Sequence, residues 1–255
     1  MLIAPNRQSW KGSVRIRPGL GIFQGYAGDN AEHRHWAHQL SIGQGSDLMV
    51  VSGGVRYQAA AVFIRADTPH QLIPGPVLSI YFDPTSAIAK GLCLRFSANS
   101  PLVTFSNSEI QWLAPDQDRP ASIDDVDGKL NRLAITDEVL PDDPKLKAVI
   151  TALEQSIRHH EEIGRHELAS LATLSESRFS HWFREQTGMP LRSYRKCLRL
   201  IFGMESALRG HNLTEAAHEA RFADQAHFSR TFSLAFGVSP SEALAHMKMP
   251  SEHDS

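Results

Sequence analysis

The chain has 255 residues, a formal net charge of −2 and two cysteines. That length gives two domains of ordinary size room to bury their own cores. Cys93 and Cys197 stand one in each half, which excludes a disulfide framework and a zinc-finger spacing. The opening Met-Leu-Ile-Ala-Pro-Asn-Arg is too short and polar for a signal peptide, and no apolar run approaches a membrane span, so a cytoplasmic protein without a membrane partner is expected.

In chain order, the first half reads as short extended runs broken by turns. Asp47 to Val51, Val55 to Ile64 and Val77 to Phe82 are strand-like, with turns at Ser52-Gly-Gly54 and Pro74-Gly-Pro76. Strands of this length and punctuation predict a small antiparallel barrel or sandwich. Before them stands His33-Arg-His35-Trp-Ala-His38-Gln39, and Pro69-His70 follows. Along a strand His33 and His35 point to one face, Gln39 keeps that phase, and His70 can approach from another strand. This set resembles the cupin metal signature, two histidines two apart, a carboxylate or amide four residues on and a histidine from a later strand. The resemblance implies a divalent ion such as zinc, nickel or iron(II) on His33, His35, Gln39 and His70. Gln39 is a weaker ligand than the glutamate usual in cupin enzymes, and the preferred reading is a small-molecule pocket with His33, His35, Gln39 and His70 as hydrogen-bonding groups. Trp36, Tyr57 and Phe63 are its candidate neighbours, and Trp36 reads equally as packed core.

From residue 100 to 140 the texture turns helical, with Ile110, Trp112 and Leu113 and then Val126, Leu130 and Leu133. Pro141-Asp-Asp-Pro144 is the best domain boundary. Asp143 can cap a helix with Pro144 at its first position, and Leu146, Val149, Ile150, Leu153 and Ile157 mark its apolar face.

The last third nearly repeats itself. Phe179-Ser-His-Trp-Phe183 up to Gly188 returns as Phe228-Ser-Arg-Thr-Phe232 up to Gly237, at a constant offset of 49 residues. Each copy reads as helix, tight turn, helix. The first has a helical run from Glu167 to Ala172, a turn at Thr173-Leu174, and Ser175 capping Glu176 to Thr187. In the second Thr214 can cap Glu215 to Arg221, and Asp224 can cap Gln225 to Phe236; Gly188 and Gly237 stop the second helices. Phe179, Trp182 and Phe183, and likewise Phe228 and Phe232, form buried stripes. The opposite faces carry Ser177, Arg178, Ser180, His181 and Arg184 in one copy and Gln225, His227, Ser229 and Arg230 in the other, side chains suited to bases and phosphates. Between the copies, Arg192, Arg195, Lys196 and Arg199 share one helical face, and residues 175 to 199 hold six basic residues against two acidic. That stripe reads either as a phosphate-binding surface or as a solvated helix face.

From about Leu168 to Met247 the chain resembles the DNA-binding domain of the AraC/XylS family of transcription regulators. The segment from Leu213 through Phe222-Ala-Asp-Gln-Ala-His-Phe228 to Gly237-Val-Ser-Pro240 is similar to the most recognisable part of that family. The resemblance implies an α+β chain: a cupin- or jelly-roll-like antiparallel β-barrel over residues 1–140, with a helical dimerisation segment at about 100–140, followed by an all-α DNA-binding domain over 141–255. Its two helix-turn-helix motifs, at about 166–188 and 213–237, would be joined by a long helix and enter adjacent major-groove segments about 34 Å apart. Carried over by position, base reading falls on Ser177, Ser180 and His181 and on Gln225, Ala226 and Arg230, with Gln225 and Arg230 the sharper readers. The departures are Thr173 and Arg221 where the family usually has glycine in each turn, Gly203 where it has alanine, and the lack of an aromatic-Arg pair after Pro240.

The expected function is a one-component regulator that binds double-stranded promoter DNA as a homodimer under control of a small-molecule effector, with RNA polymerase as a possible further partner. Two other readings stay open: a metal-dependent cupin enzyme with an accessory DNA-binding tail, and a ligand-independent repressor using the barrel for dimerisation. The chain holds no nucleophile constellation, phosphate loop or paired catalytic carboxylates, so no enzyme activity is expected.

Overall fold

The structure, a computed structural model, describes residues 8–95, 100–111, 123–134 and 143–249. The expected boundary at Pro141-Asp142 and the helix expected around Trp112 and Leu113 lie outside the described residues, as does the side chain of Leu133. The first half contains β1 (Lys11–Arg17), β2 (Leu20–Ala27), β3 (His38–Gly43), β4 (Leu48–Ser52), β5 (Val55–Ala59), β6 (Ala61–Ile64), β7 (Gln71–Leu72), β8 (Gly75–Phe82), α1 (Ala87–Arg95), β9 (Leu102–Phe105), α2 (Asn107–Ile110) and α3 (Ile123–Ala134). The second contains α4 (Pro144–Arg158), α5 (Arg165–Leu171), α6 (Glu176–Thr187), α7 (Leu191–Leu208), α8 (Leu213–Glu219), α9 (Gln225–Phe236), α10 (Pro240–Leu244) and β10 (Met247–Lys248).

The sheet-rich first half and helical second half are those expected, but the described strands divide between two sheets. One has seven strands in the order β10-β1-β2-β8-β3-β6-β9, and the other has three in the order β5-β4-β7. The run expected as one strand from Val55 to Ile64 is therefore two strands, β5 and β6, that part at Ala60 and join different sheets. In the large sheet Ile22, Ile80, Leu40 and Phe63 stand opposite one another across four strands, a cross-strand row of buried apolar side chains. They pack with Ala89 and Leu92 of α1 and Ile123, Val126 and Leu130 of α3. Asp127 of α3 also pairs with Arg17 at 2.8 Å and Arg15 at 3.5 Å on β1. The apolar face of α3 is thus spent on its own sheet.

The helical half follows its local signals closely. Asp143 accepts from the Lys145 amide at 2.9 Å with Pro144 at the first helical position, and Leu146, Val149, Leu153 and Ile157 are buried. Asp224 accepts from the His227 amide at 2.6 Å to start α9, and Gly188 and Gly237 end α6 and α9 in the left-handed conformation, with φ of 73° and 68°. Two caps differ from expectation. Asn212, rather than Thr214, begins the shorter α8, because its carboxamide reaches the Thr214 and Glu215 amides at 3.0 Å. Ser175 occupies the cap position of α6, but its side chain makes no capping bond. Both turns that lack glycine hold positive φ, 56° at Thr173 and 59° at Arg221. Gly203 is explained by packing: a Cβ there would come within 2.7 Å of the Phe228 ring and 3.2 Å of Ala220.

The halves are not separate bodies. A single apolar cluster joins Trp10, Val14 and Phe23 to Phe202, Phe232 and Val238. β10, after the last helix, pairs in parallel with β1, Gly12 beside Met247 and Ser13 beside Lys248. Tyr194 of α7 donates to Asp83 at 2.7 Å, and the Ala31 amide donates to the Gly237 carbonyl at 2.8 Å.

Candidate functional site

On α6 the side chains of Ser177, Arg178, Ser180, His181 and Arg184 are all exposed, one turn away from the buried Phe179 and Phe183. The Ser180 hydroxyl is turned back to the Glu176 carbonyl at 3.2 Å. On α9, Gln225, Ala226 and Arg230 are exposed, with the Gln225 amide oxygen accepting from Thr214 at 2.8 Å. His227 and Ser229 are half-buried, and the His227 ring stands edge-on to Phe222 at 5.1 Å. Each second helix therefore offers polar side chains on one face and aromatic core on the other.

The basic stripe on α7 splits into two rows. Arg192 and Lys196 are exposed, whereas Arg195 and Arg199 are half-buried, and Arg195 donates to the Ile163 carbonyl. Their guanidinium pKa values fall, through burial first and neighbouring arginines after it. Lys196 and Arg184 also line an open cleft of about 910 Å³ between the halves, where they face Arg34, Arg65 and Lys90.

The histidines expected on one strand come together by a different route. His33 forms an isolated bridge with His70, His35 lies in the loop before β3, and Gln39 is on β3 opposite Tyr81 and Ile64. One ring nitrogen from each of His33, His35 and His70 falls within 4.8 Å of the other two. In each ring Nδ1 faces a backbone carbonyl, Ala31 at 2.9 Å, Ala37 at 2.9 Å and Thr68 at 2.8 Å. A carbonyl only accepts, so Nδ1 carries the hydrogen and Nε2 keeps its lone pair. Gln39 Oε1 lies 2.9 Å from His35 Nε2 and 3.1 Å from His70 Nε2, the Gln39 NH2 donates to the Ser41 hydroxyl at 2.7 Å, and Ser41 meets Ser79 at 2.8 Å. With the hydrogen on Nδ1 in both rings, Oε1 and the two Nε2 atoms turn lone pairs toward one another, an arrangement that a divalent ion shared among them would satisfy. Tethered Nδ1–H groups with inward Nε2 lone pairs are the orientation that metal-binding histidines require, so the donor set fits such an ion. Burial and mutual proximity hold the rings neutral, lowering His33 to about 4 and His35 to about 3, with His70 also lowered.

The pocket lies between the halves. A cavity of about 110 Å³ is lined by His33, His35, Trp36 and Tyr81 from the first half and by Ile201, Met204, Phe232 and Phe236 from the second, together with Arg17, Asp83 and further apolar residues. Tyr81 and His35 stand 6.2 and 6.3 Å from the Phe236 ring, and burial pushes the Tyr81 hydroxyl up to about 12. Trp36 is both half-buried and part of this wall. Of the other expected pocket residues, Gln39 and His70 sit in the histidine cluster, Phe63 is fully buried in the sheet core, and Tyr57 lies on β5 of the smaller sheet, paired with Val50 and outside these cavities. The contribution of Phe232, Phe236 and Met204 was hidden because their stripe spacing reads as internal core of the helical half.

Residues 168–246 match a family model described as a helix-turn-helix domain. Over 104 residues, 40% of this chain and 35% of the relative, the chain is 30% identical to the HTH-type transcriptional activator RhaR of Yersinia pseudotuberculosis. Over 127 residues, 46% of this chain and 42% of the relative, it is 34% identical to the arabinose operon regulatory protein of Salmonella typhimurium. The chain thus spans between a third and a half of the length of these curated relatives. Across nearly the whole chain the fold is that of ToxT from Vibrio cholerae: one ToxT structure covers 89% of this chain and 98% of its own at a TM-score of 0.53 and 14% identity. A structure of an apo ToxT variant covers 91% and 99% at a TM-score of 0.56 and 10% identity. Among the described residues no helix is long and apolar enough to cross a membrane.

Proposed function

We propose that the chain is a transcription regulator of the AraC/XylS kind, as its helix-turn-helix match over residues 168–246 and its partial likeness to two such regulators support, that it binds double-stranded promoter DNA through α6 and α9, and that it is switched by a small molecule held between its halves. The observation that carries this reading is the cavity whose walls come from both the histidine loop and α9. A molecule seated there touches the second reading helix directly, so it shifts DNA binding by as much as it prefers one placement of α9 over another. The lining is apolar with a few polar ends, which favours a small apolar molecule carrying one polar group. ToxT has been solved bound to an unsaturated fatty acid and to a naphthalenyl butenoic acid, ligands of that class.

His33, His35 and His70, with Gln39, would hold a divalent ion such as zinc, nickel or iron(II), which would rigidify the loop beneath α9. The regulator acts as a cytoplasmic homodimer, with RNA polymerase a further partner at activated promoters. The relatives that the chain resembles are regulators, which favours this reading over a cupin enzyme with an accessory DNA-binding tail. A footprint on the DNA upstream of the chain's own gene, repeated with Arg230→Ala, tests the reading. Loss of site preference with weak general binding retained supports it, and an unchanged footprint overturns base reading by α9. Metal analysis of protein from metal-replete cells, beside His33→Ala/His35→Ala, tests the ion: metal-free wild type ends that part.

A further inference from the structure

Three guanidinium groups meet in a cavity of about 220 Å³ inside the helical half. Its walls are the end of α4, residues 161–164, Arg195 and Arg199 on α7, and Arg221 in the turn of the second helix-turn-helix. Arg221 has partners: it donates to the Ser156 carbonyl at 3.3 Å and to the Glu161 carbonyl, and lies 3.6 Å from the Glu162 carboxylate. Those bonds help hold a residue whose φ is +59°. Arg195 is only half served, since one end of its guanidinium donates to the Ile163 carbonyl while its Nε–H is buried without a hydrogen-bond partner. Arg199 makes no hydrogen bond or ion pair among the described residues.

Arg165 adds a fourth positive charge nearby. Two carboxylates oppose them, Glu161 and Glu162, but both residues are exposed and the Glu162 side chain is 93% so, leaving water to screen them. Like-charged, half-buried guanidinium groups with an orphaned donor are unfavourable for the protein alone. An oxyanion relieves all three problems at once, because the planar donor fork of arginine matches phosphate oxygens.

We propose that this cavity binds a free phosphate-sized dianion, which accepts from Arg195 Nε and from Arg199 and Arg221 and ties the turn of the second reading unit to the segment between α4 and α5. The site is independent of the effector cavity, and its contents bear on how firmly α8 and α9 are held against the rest of the domain.

Calorimetric titration of the full chain with sodium phosphate, at ionic strength held constant with sodium chloride, tests it. The expected result is saturable one-to-one binding, weakened at least tenfold by Arg199→Gln and also by Arg195→Lys, which keeps the charge but removes Nε–H. Arg34→Gln, a cation of the open cleft, is the control and should bind as wild type does. If Arg199→Gln does not fold, Arg195→Lys still reads the site. Non-saturable binding, or equal binding by both variants, overturns the proposal. So does an Arg199→Gln protein whose only change is weaker DNA binding with a salt slope smaller by about one, since the cavity would then belong to the DNA backbone.

Discussion

The two helix-turn-helix units are copies of one pattern, yet they differ in what lies at the end of the reading helix. Both end at a glycine in the left-handed conformation. Around Gly188 a Cβ would meet nothing within 4 Å, whereas at Gly237 it would come within 2.2 Å of the Ala31 carbonyl and 2.9 Å of His33 Nδ1. The first unit reaches the first half of the chain at one remove, through Phe183 stacked edge-on against Tyr194, which is bonded to Asp83. The second touches it directly, with Gly237 hydrogen-bonded to Ala31 and Phe236 beside His35 and Tyr81. Duplication therefore supplied two readers, and docking made only one of them a direct neighbour of the histidine cluster.

The largest expected effect that breaks this comparison is Gly237→Ala. It adds the strain of a left-handed non-glycine residue, about 1 kcal/mol, to a backbone clash of the overpacking kind, about 1–3 kcal/mol, so a loss of roughly 2–4 kcal/mol is expected. Gly188→Ala meets open space and should lose only about 1 kcal/mol. Denaturant unfolding of both variants gives the comparison, and equal losses would mean that the close approach at Ala31 yields without cost. Next in size is base reading. Arg230→Ala should remove about 1–3 kcal/mol of discrimination at one base pair, while Ser180→Ala, whose hydroxyl already bonds the Glu176 carbonyl, should change discrimination by a few tenths at most. Competition binding with single-base operator variants measures both, and a larger effect at Ser180 would reverse the assigned ranking of the readers.

What was legible in the chain was local. Asp143-Pro144, Asp224, Gly188, Gly237 and the aromatic stripes each act within a turn or two of themselves, so composition and spacing locate α4, α6 and α9 to within a residue or so. The positive φ at Thr173 and Arg221 was likewise readable, because the duplicated turn demands it whatever residue fills it. What was hidden depends on partners distant in sequence. β1 and β2 carry glycines that blur their alternation, and β10 exists only because Met247 and Lys248 find the edge of β1. His33 and His35 share a site although they share no strand, since it is the bridge to His70 that gathers them. The cavity between the halves was invisible for the same reason: Phe232 and Phe236 obey helical spacing and give no sign that the wall they meet is in the other half.

The smallest effect sharpens the comparison by its sign. Thr173 and Arg221 occupy equivalent turns with nearly equal φ, so replacing either with glycine removes a similar strain, about 1 kcal/mol. Part of that gain is returned through the freer unfolded chain. The Thr173 side chain forfeits only surface bonds, to the Ala172 carbonyl at 2.7 Å and from Lys145 at 2.9 Å, so Thr173→Gly should be neutral or stabilising by up to about 1 kcal/mol. Arg221 gives up charged hydrogen bonds to two carbonyls, one in the last turn of α4 and one in the segment after it, each of a kind that contributes about 1.5–3 kcal/mol. Arg221→Gly should therefore destabilise by about 1 kcal/mol or more despite the relieved backbone. Opposite signs in denaturant midpoints would show that the first turn tolerates its non-glycine residue while the second employs it, and a gain in both variants would remove Arg221 from the residues that hold the second unit in place.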